Sequence, residues 1–223
     1  MNYVISICNP DNVGVLKDIC HSLGLPINVV LRGRGTAVRS MLDLLGLESN
    51  EKRVVFSVAD NDKLKSFIKE QKKRMFIGVP GHGIVVSVPI KSIGGKRTME
   101  MLNADAQAIG NKPEFNPSYE LIVAIANEGR MDMVMNAARA AGATGGTVLH
   151  GKGEGGKNEE KFYNVSIASE KEVILIVARK EQKSDIMRSI LEKAGPNTDA
   201  QAIVFSLPTS EVAGFGMFDE ASD

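Results

Sequence analysis

The sequence predicts an α+β fold built from two copies of one βαββαβ domain in tandem. Three observations carry that prediction: an internal repeat, the same order of hydrophobic patterns in each copy, and a breaker-rich stretch between them. Asn9 to Gly35 aligns without a gap onto Asn127 to Gly153. Within it Val13-x-x-Leu16 matches Met131-x-x-Val134, Leu23-Gly24 matches Ala141-Gly142, and Val30 to Gly35 matches Val148 to Gly153. Further on, Val54 to Ala59 matches Val173 to Ala178, and Ser87-Val88-Pro89 matches Ser206-Leu207-Pro208.

Each copy opens with an apolar strand, Tyr3 to Cys8 and Tyr119 to Ala126. A helix follows, Asn12 to Leu23 and Arg130 to Ala141, its apolar residues recurring at helical spacing. Gly24 and Gly142 stand just past these helices, where a left-handed residue closes the last turn. The second strands are Ile27 to Arg32 and Gly146 to His150, each leading into a long loop. The third strands, Val54 to Ala59 and Val173 to Ala178, are unbroken apolar runs, so they belong at the centre of a covered sheet. Second helices span Asp62 to Arg74 and Ser184 to Ala194, and fourth strands Ile84 to Val88 and Ala202 to Leu207. This is the ferredoxin-like order, with both helices on one face of an antiparallel sheet. The strands are apolar on both sides, so the second face needs a cover, and a homo-oligomer is expected. The domains are 1–97 and 118–215, joined by a linker at 98–117 that opens with a helical turn, Met99 to Ala108, and ends in Gly110, Pro113 and Pro117. The first loop, Thr36 to Leu47, has helical spacing at Val38, Met41, Leu42 and Leu45 and reads as a short amphipathic helix, a packed cover in the first place and a partner-docking helix in the second.

Composition excludes several classes. Lys+Arg and Asp+Glu balance at 27 each, so there is no basic footprint for direct nucleic-acid binding. The one tight basic run, Lys72-Lys73-Arg74, closes a helix, where cations suit the dipole. The two cysteines, Cys8 and Cys20, form no CxxC or Cys/His set, and Cys20 lies on an apolar helix face. No signal peptide and no apolar run of membrane length stand out, and a cytoplasmic protein is expected. His21, His82 and His150 have no acidic residue at metal-ligand spacing, and no nucleophile–base set appears, so neither a metal site nor catalysis is expected.

The sharpest functional signal is Gly145-Gly146-Thr147-Val148-Leu149-His150-Gly151-Lys152-Gly153-Glu154-Gly155-Gly156-Lys157. Glycines bunched after a strand expose backbone N–H groups that can form an anion nest, and Lys152 and Lys157 add positive charge. The same pattern also fits a hairpin loop with glycine chosen for turns. No GKS or GKT follows, so it is not a Walker A loop.

This stretch resembles the segment that leads into the T-loop of the PII signal-transduction family, G-M-T-V-T-E-V-K-G-F-G. Gly145-Gly146-Thr147-Val148 and Lys152-Gly153-x-Gly155 stand in the matching places. The resemblance covers 118–214 and reaches 2–95 through the repeat. It implies a trimer that binds ATP, ADP or AMP, or 2-oxoglutarate with Mg-ATP, between subunits, and that passes the signal through its T-loop to a transporter or enzyme. It implies an adenine contact at Thr147 and phosphate contacts near Gly153 and Gly155. Lys157 replaces the family's glutamine. Ala194 to Asp199 replaces the phosphate-binding B-loop T-G-K-I-G-D-G-K, and Ala213 and Gly214 stand where the family has an R-x-R pair. The first half keeps Lys96 and Arg97 near that place at another spacing. Tyr163 stands in the loop where family members carry a modifiable tyrosine, and equally reads as a strand residue. The expected function is non-enzymatic regulation of a partner protein by a small effector, in nitrogen metabolism or transport. A scaffold without ligand, or a metal-binding protein or enzyme on the same fold, as in copper-tolerance proteins, are the alternatives.

Overall fold

The structure is a computed structural model that describes residues 1–25, 28–36, 50–79, 81–94, 96–102, 115–153, 161–162, 165–166 and 169–215. The chain forms two compact units. The first holds Met1–Arg32, Glu51–Tyr119 and Pro208–Asp223; the second holds Gly33–Asn50 and Glu120–Leu207.

In the first unit the order is β1 (Asn2–Cys8), a 3-10 turn (Pro10–Asn12), α1 (Val13–Ser22), β2 (Asn28–Gly35), β3 (Glu51–Ala59), α2 (Asn61–Met75) and β4 (Gly83–Pro89). Short elements follow: α3 (Lys96–Met101) and, from the far end of the chain, β11 (Glu211–Ala213). Strand order is β2-β3-β1-β4-β11, so the apolar third strand is central, as its composition requires. Alternation puts Val4 and Cys8 of β1 and Val55 and Ala59 of β3 on the face under the helices, where they pack with Leu16, Ile19, Phe67 and Met75. Asp60 starts α2 by accepting the Lys63 N–H at 2.7 Å, an N-cap its side chain is built for.

The second unit repeats this design. It comprises β5 (Tyr119–Asn127), α4 (Met131–Ala140), β6 (Thr147–Gly153), β7 (Lys161–Phe162), β8 (Val165–Ser166), β9 (Ser169–Arg179), α5 (Lys180–Ala194) and β10 (Ile203–Pro208). The order is β10-β5-β9-β6, with β9 central and Gly33–Gly35 pairing along the far side of β6. Its core joins Ile122, Val134, Met135, Ile174, Ile176, Ile186 and Ile190. The helices α1 and α4 start and stop at equivalent positions of the repeat, and so do α2 and α5.

The glycine expectation holds at the level of individual hydrogen bonds. After α1, the Leu25 N–H donates to Cys20 and the Gly24 N–H to His21; after α4, the Ala143 N–H donates to Ala138 and the Gly142 N–H to Arg139. Both are Schellman closures with left-handed glycines, φ +61° and +100°. In each, the flanking apolar pair is buried, Cys20 with Leu25 and Ala138 with Ala143.

Two expectations change. The last strand, β11, appears where no element is expected: three residues pair with the edge of β4, and tertiary pairing creates the strand. The linker helix expected over Met99 to Ala108 starts earlier, at Lys96, and runs to Met101; residues 103–108 lie outside the described residues. Residues 37–49, which contain the expected amphipathic loop helix, and Tyr163 lie outside the described residues. Among the described residues no helix is long and apolar enough to cross a membrane.

Candidate functional site

The glycine-rich motif begins on β6. Thr147, its first expected ligand contact, is 6% exposed and lies opposite both Leu175 of β9 and Gly35. One residue earlier, Gly146 is clamped by Thr36. The Thr36 N–H and hydroxyl both donate to the Gly146 carbonyl at 2.9 Å, and the Gly146 N–H donates to the Thr36 hydroxyl at 2.8 Å. The Arg139 guanidinium donates to the Thr36 carbonyl. The head of the motif is thus closed by the protein's own groups.

Further along β6 the motif is exposed. Lys152, the last residue but one of the strand, has a side chain 70% exposed and sits 3.5 Å from Glu170, its partner in the register. Gly153 follows it, opposite Ser169. Thr147 and Gly153 are six residues apart on one strand, ~20 Å at strand rise, so one compact anion meets only one of them. Gly155 and Lys157 lie outside the described residues.

Gly153 has a different reason for being glycine than a left-handed turn. It is absent from the positive-φ glycines, and a Cβ there would stand 2.9 Å from Lys171 Cγ. The Lys171 stem lies over it and carries its ammonium to Asn127 Oδ1 at 2.6 Å. The first half repeats this contact: Lys52 Nζ donates to Asn9 Oδ1 at 2.5 Å. Both pairs occupy aligned positions, so the sequence carried the signal. Only the strand register shows that the residues touch.

Sequence reasoning also missed Glu172. It is 5% exposed and accepts the Arg130 N–H at 3.1 Å and the Met131 N–H at 2.8 Å, capping the start of α4 from a neighbouring strand. Its other oxygen lies 3.7 Å from His150 Nε2. His150 therefore does have a carboxylate neighbour, supplied by the β6–β9 register and not by local spacing. Among the described residues no group of three or more His, Cys, Asp or Glu is placed to hold a metal ion.

The turn that replaces the B-loop runs from α5 to β10. Four of its amides are engaged internally: the Gly195 N–H donates to Leu191, Thr198 to Gly195, Gln201 to Thr198 and Ala202 to Ala194. The Thr198 hydroxyl also donates to the Gly195 carbonyl, at 2.8 Å. Asp199 adds a carboxylate, 3.7 Å from Arg130. Amides already paired to carbonyls make no anion nest, and an aspartate repels phosphate. These residues do not fit a family-type triphosphate grip.

Comparison with known proteins follows the same lines. Residues 119–215 match the family model described as nitrogen regulatory protein P-II. Among solved structures, Arabidopsis thaliana PII bound to citrate is 24% identical, over 43% of this chain and 78% of that one, with a TM-score of 0.32. GlnK of B. subtilis is 14% identical, over 41% and 84%, with a TM-score of 0.33. No curated protein matches. The similarity to the PII family thus lies in residues 119–215.

Proposed function

We propose that this protein is a non-enzymatic PII-like regulator that binds a small anionic effector and acts on a partner enzyme or transporter as a homo-oligomer. The observation that carries the reading is the family match over 119–215, joined to a glycine-rich motif that begins on β6 and continues into residues 154–157. The effector contacts proposed are Lys152, Gly153, Gly155 and Lys157, with Thr147 as the adenine contact if the effector is a nucleotide. The closed turn after α5 argues that phosphate binding, where it occurs, rests on the β6 side. A free carboxylate or a nucleotide such as AMP, ADP or ATP meets that requirement.

The test is a thermal-shift panel of ATP, ADP, AMP and 2-oxoglutarate on wild type and on Gly153→Val. A ligand at ~100 times its dissociation constant stabilises the fold by about 2.7 kcal/mol. The reading expects a shift in wild type that Gly153→Val loses, because valine displaces the Lys171 stem from the strand end. Equal shifts in both proteins put the effector elsewhere. No shift with any ligand favours a scaffold.

A further inference from the structure

The outer edge of β4 is covered by β11 in antiparallel register, Glu211 opposite Ser87, Val212 opposite Val86 and Ala213 opposite Val85. Ser87 anchors it. Its hydroxyl accepts the Glu211 N–H at 2.9 Å and meets the Ser210 hydroxyl at 2.7 Å, while its carbonyl accepts the Ser210 N–H at 2.8 Å. Under this cover Val85, Val86 and Ser87 are 0% exposed.

The same edge occurs a second time. Ile203 to Pro208 of β10 repeats Ile84 to Pro89 position by position, with Ser206 in the place of Ser87 and Phe205 in the place of Val86. Yet β10 ends its sheet, and among the described residues no strand pairs with its outer edge. Ile203 is 61% and Phe205 39% exposed there. The covering strand has a repeat too. Ser92-Ile93-Gly94 stands where Glu211-Val212-Ala213 stands one repeat later, and it belongs to no helix or strand among the described residues. Among the described residues the chain thus carries one acceptor–donor pair that is joined and a second, matching pair whose members are both unjoined.

We propose that Ser92–Gly94 of one copy adds to the outer edge of β10 in a second copy, with Ser92 opposite Ser206, Ile93 opposite Phe205 and Gly94 opposite Val204. Main-chain pairing supplies the attachment, and Ile93 covers Phe205 as Val212 covers Val86. An exposed apolar edge strand is an open template for another chain, and here the chain's own repeat specifies which strand fits it. Donor and acceptor are different patches, so the contact is head-to-tail, and each copy can donate to one neighbour and accept from another. The inference does not rest on the effector reading.

The experiment mixes two full-length, differently tagged proteins, Ile93→Cys and Phe205→Cys, under mild oxidation. Facing residues of an antiparallel pair lie about 4.5–5.5 Å apart at Cα, within disulfide reach. Cys8 and Cys20 are at most 1% exposed, so a wild-type mixture gives the background. The expected product is a covalent dimer with one chain of each tag. Phe205→Cys dimers with themselves would pair two β10 edges, and Ile93→Cys dimers two donor strands; either overturns the proposal, as does no cross-link. A second variant, Ile203→Lys, reads the edge without chemistry. Light scattering should fall to one 24.0 kDa chain with an unchanged circular dichroism spectrum. A wild type already monomeric at micromolar concentration, or a variant that keeps the wild-type mass, overturns it as well.

Discussion

Gln71→Ile should stabilise the protein. Gln71 sits on α2, 0% exposed, and among the described residues neither its amide oxygen nor its nitrogen has a hydrogen-bond partner. The helix α5 repeats α2, and the position equivalent to Gln71 is Ile190, also 0% exposed. A buried amide left unpaired costs about 1–3 kcal/mol. Isoleucine removes that cost, adds apolar area to the core, and loses a few tenths of a kcal/mol through its stiffer helical rotamer. The net gain expected is about 1–2 kcal/mol. For a chain of this size that raises the melting temperature by about 2–8 °C. Urea unfolding should show a higher midpoint with the same slope, since the surface exposed on unfolding is unchanged. Ser6→Ala tests the same logic on β1, where Ser6 Oγ is buried and unpaired and its repeat partner is Ala124. A lower midpoint for Gln71→Ile would refute the reasoning, because it would mean the amide makes stabilising hydrogen bonds that isoleucine cannot replace.

Three further outcomes follow from the geometry. Gly24→Ala should lower the free energy of unfolding in urea by about 1 kcal/mol, since φ +61° is unfavourable for a residue with a Cβ. Glu172→Ala should cost about 1–2 kcal/mol in the same assay by removing the carboxylate that caps α4. The Cys8 thiol is pushed by burial from 9.0 to about 11, with Lys52 and Arg53 pulling partly the other way. Because the folded value is the higher one, its contribution is intact below pH 9 and lost as pH rises through 11. The unfolding midpoint of wild type should therefore fall more steeply over that window than that of Cys8→Ala, each taken relative to its own value at pH 8.

Most of the architecture was legible because it rests on local signals repeated twice. Apolar spacing marked α1 and α4, glycine marked their ends, and unbroken apolar runs marked β3 and β9 as central. What was not legible depends on register. Glu211-Val212-Ala213 is too short to read as a strand, and only the Ser87 edge makes it one. Glu172 gives no local hint that it caps α4 and faces His150. Gly153 reads as a turn residue, whereas the stem of Lys171 explains it. Thr147 reads as an accessible contact, whereas strands on both sides bury it. The candidate site was readable as a segment, but the partners of its side chains came only with the fold.

The most direct test of effector binding at the end of β6 is an amide chemical-shift map of the full chain titrated separately with ATP, ADP, AMP and 2-oxoglutarate. The account predicts that at least one of them shifts Lys152, Gly153 and the amides of 154–160 in a saturable way, with small changes at the turn 195–201. Saturable shifts confined to the first unit, or none with any of the four, would contradict it.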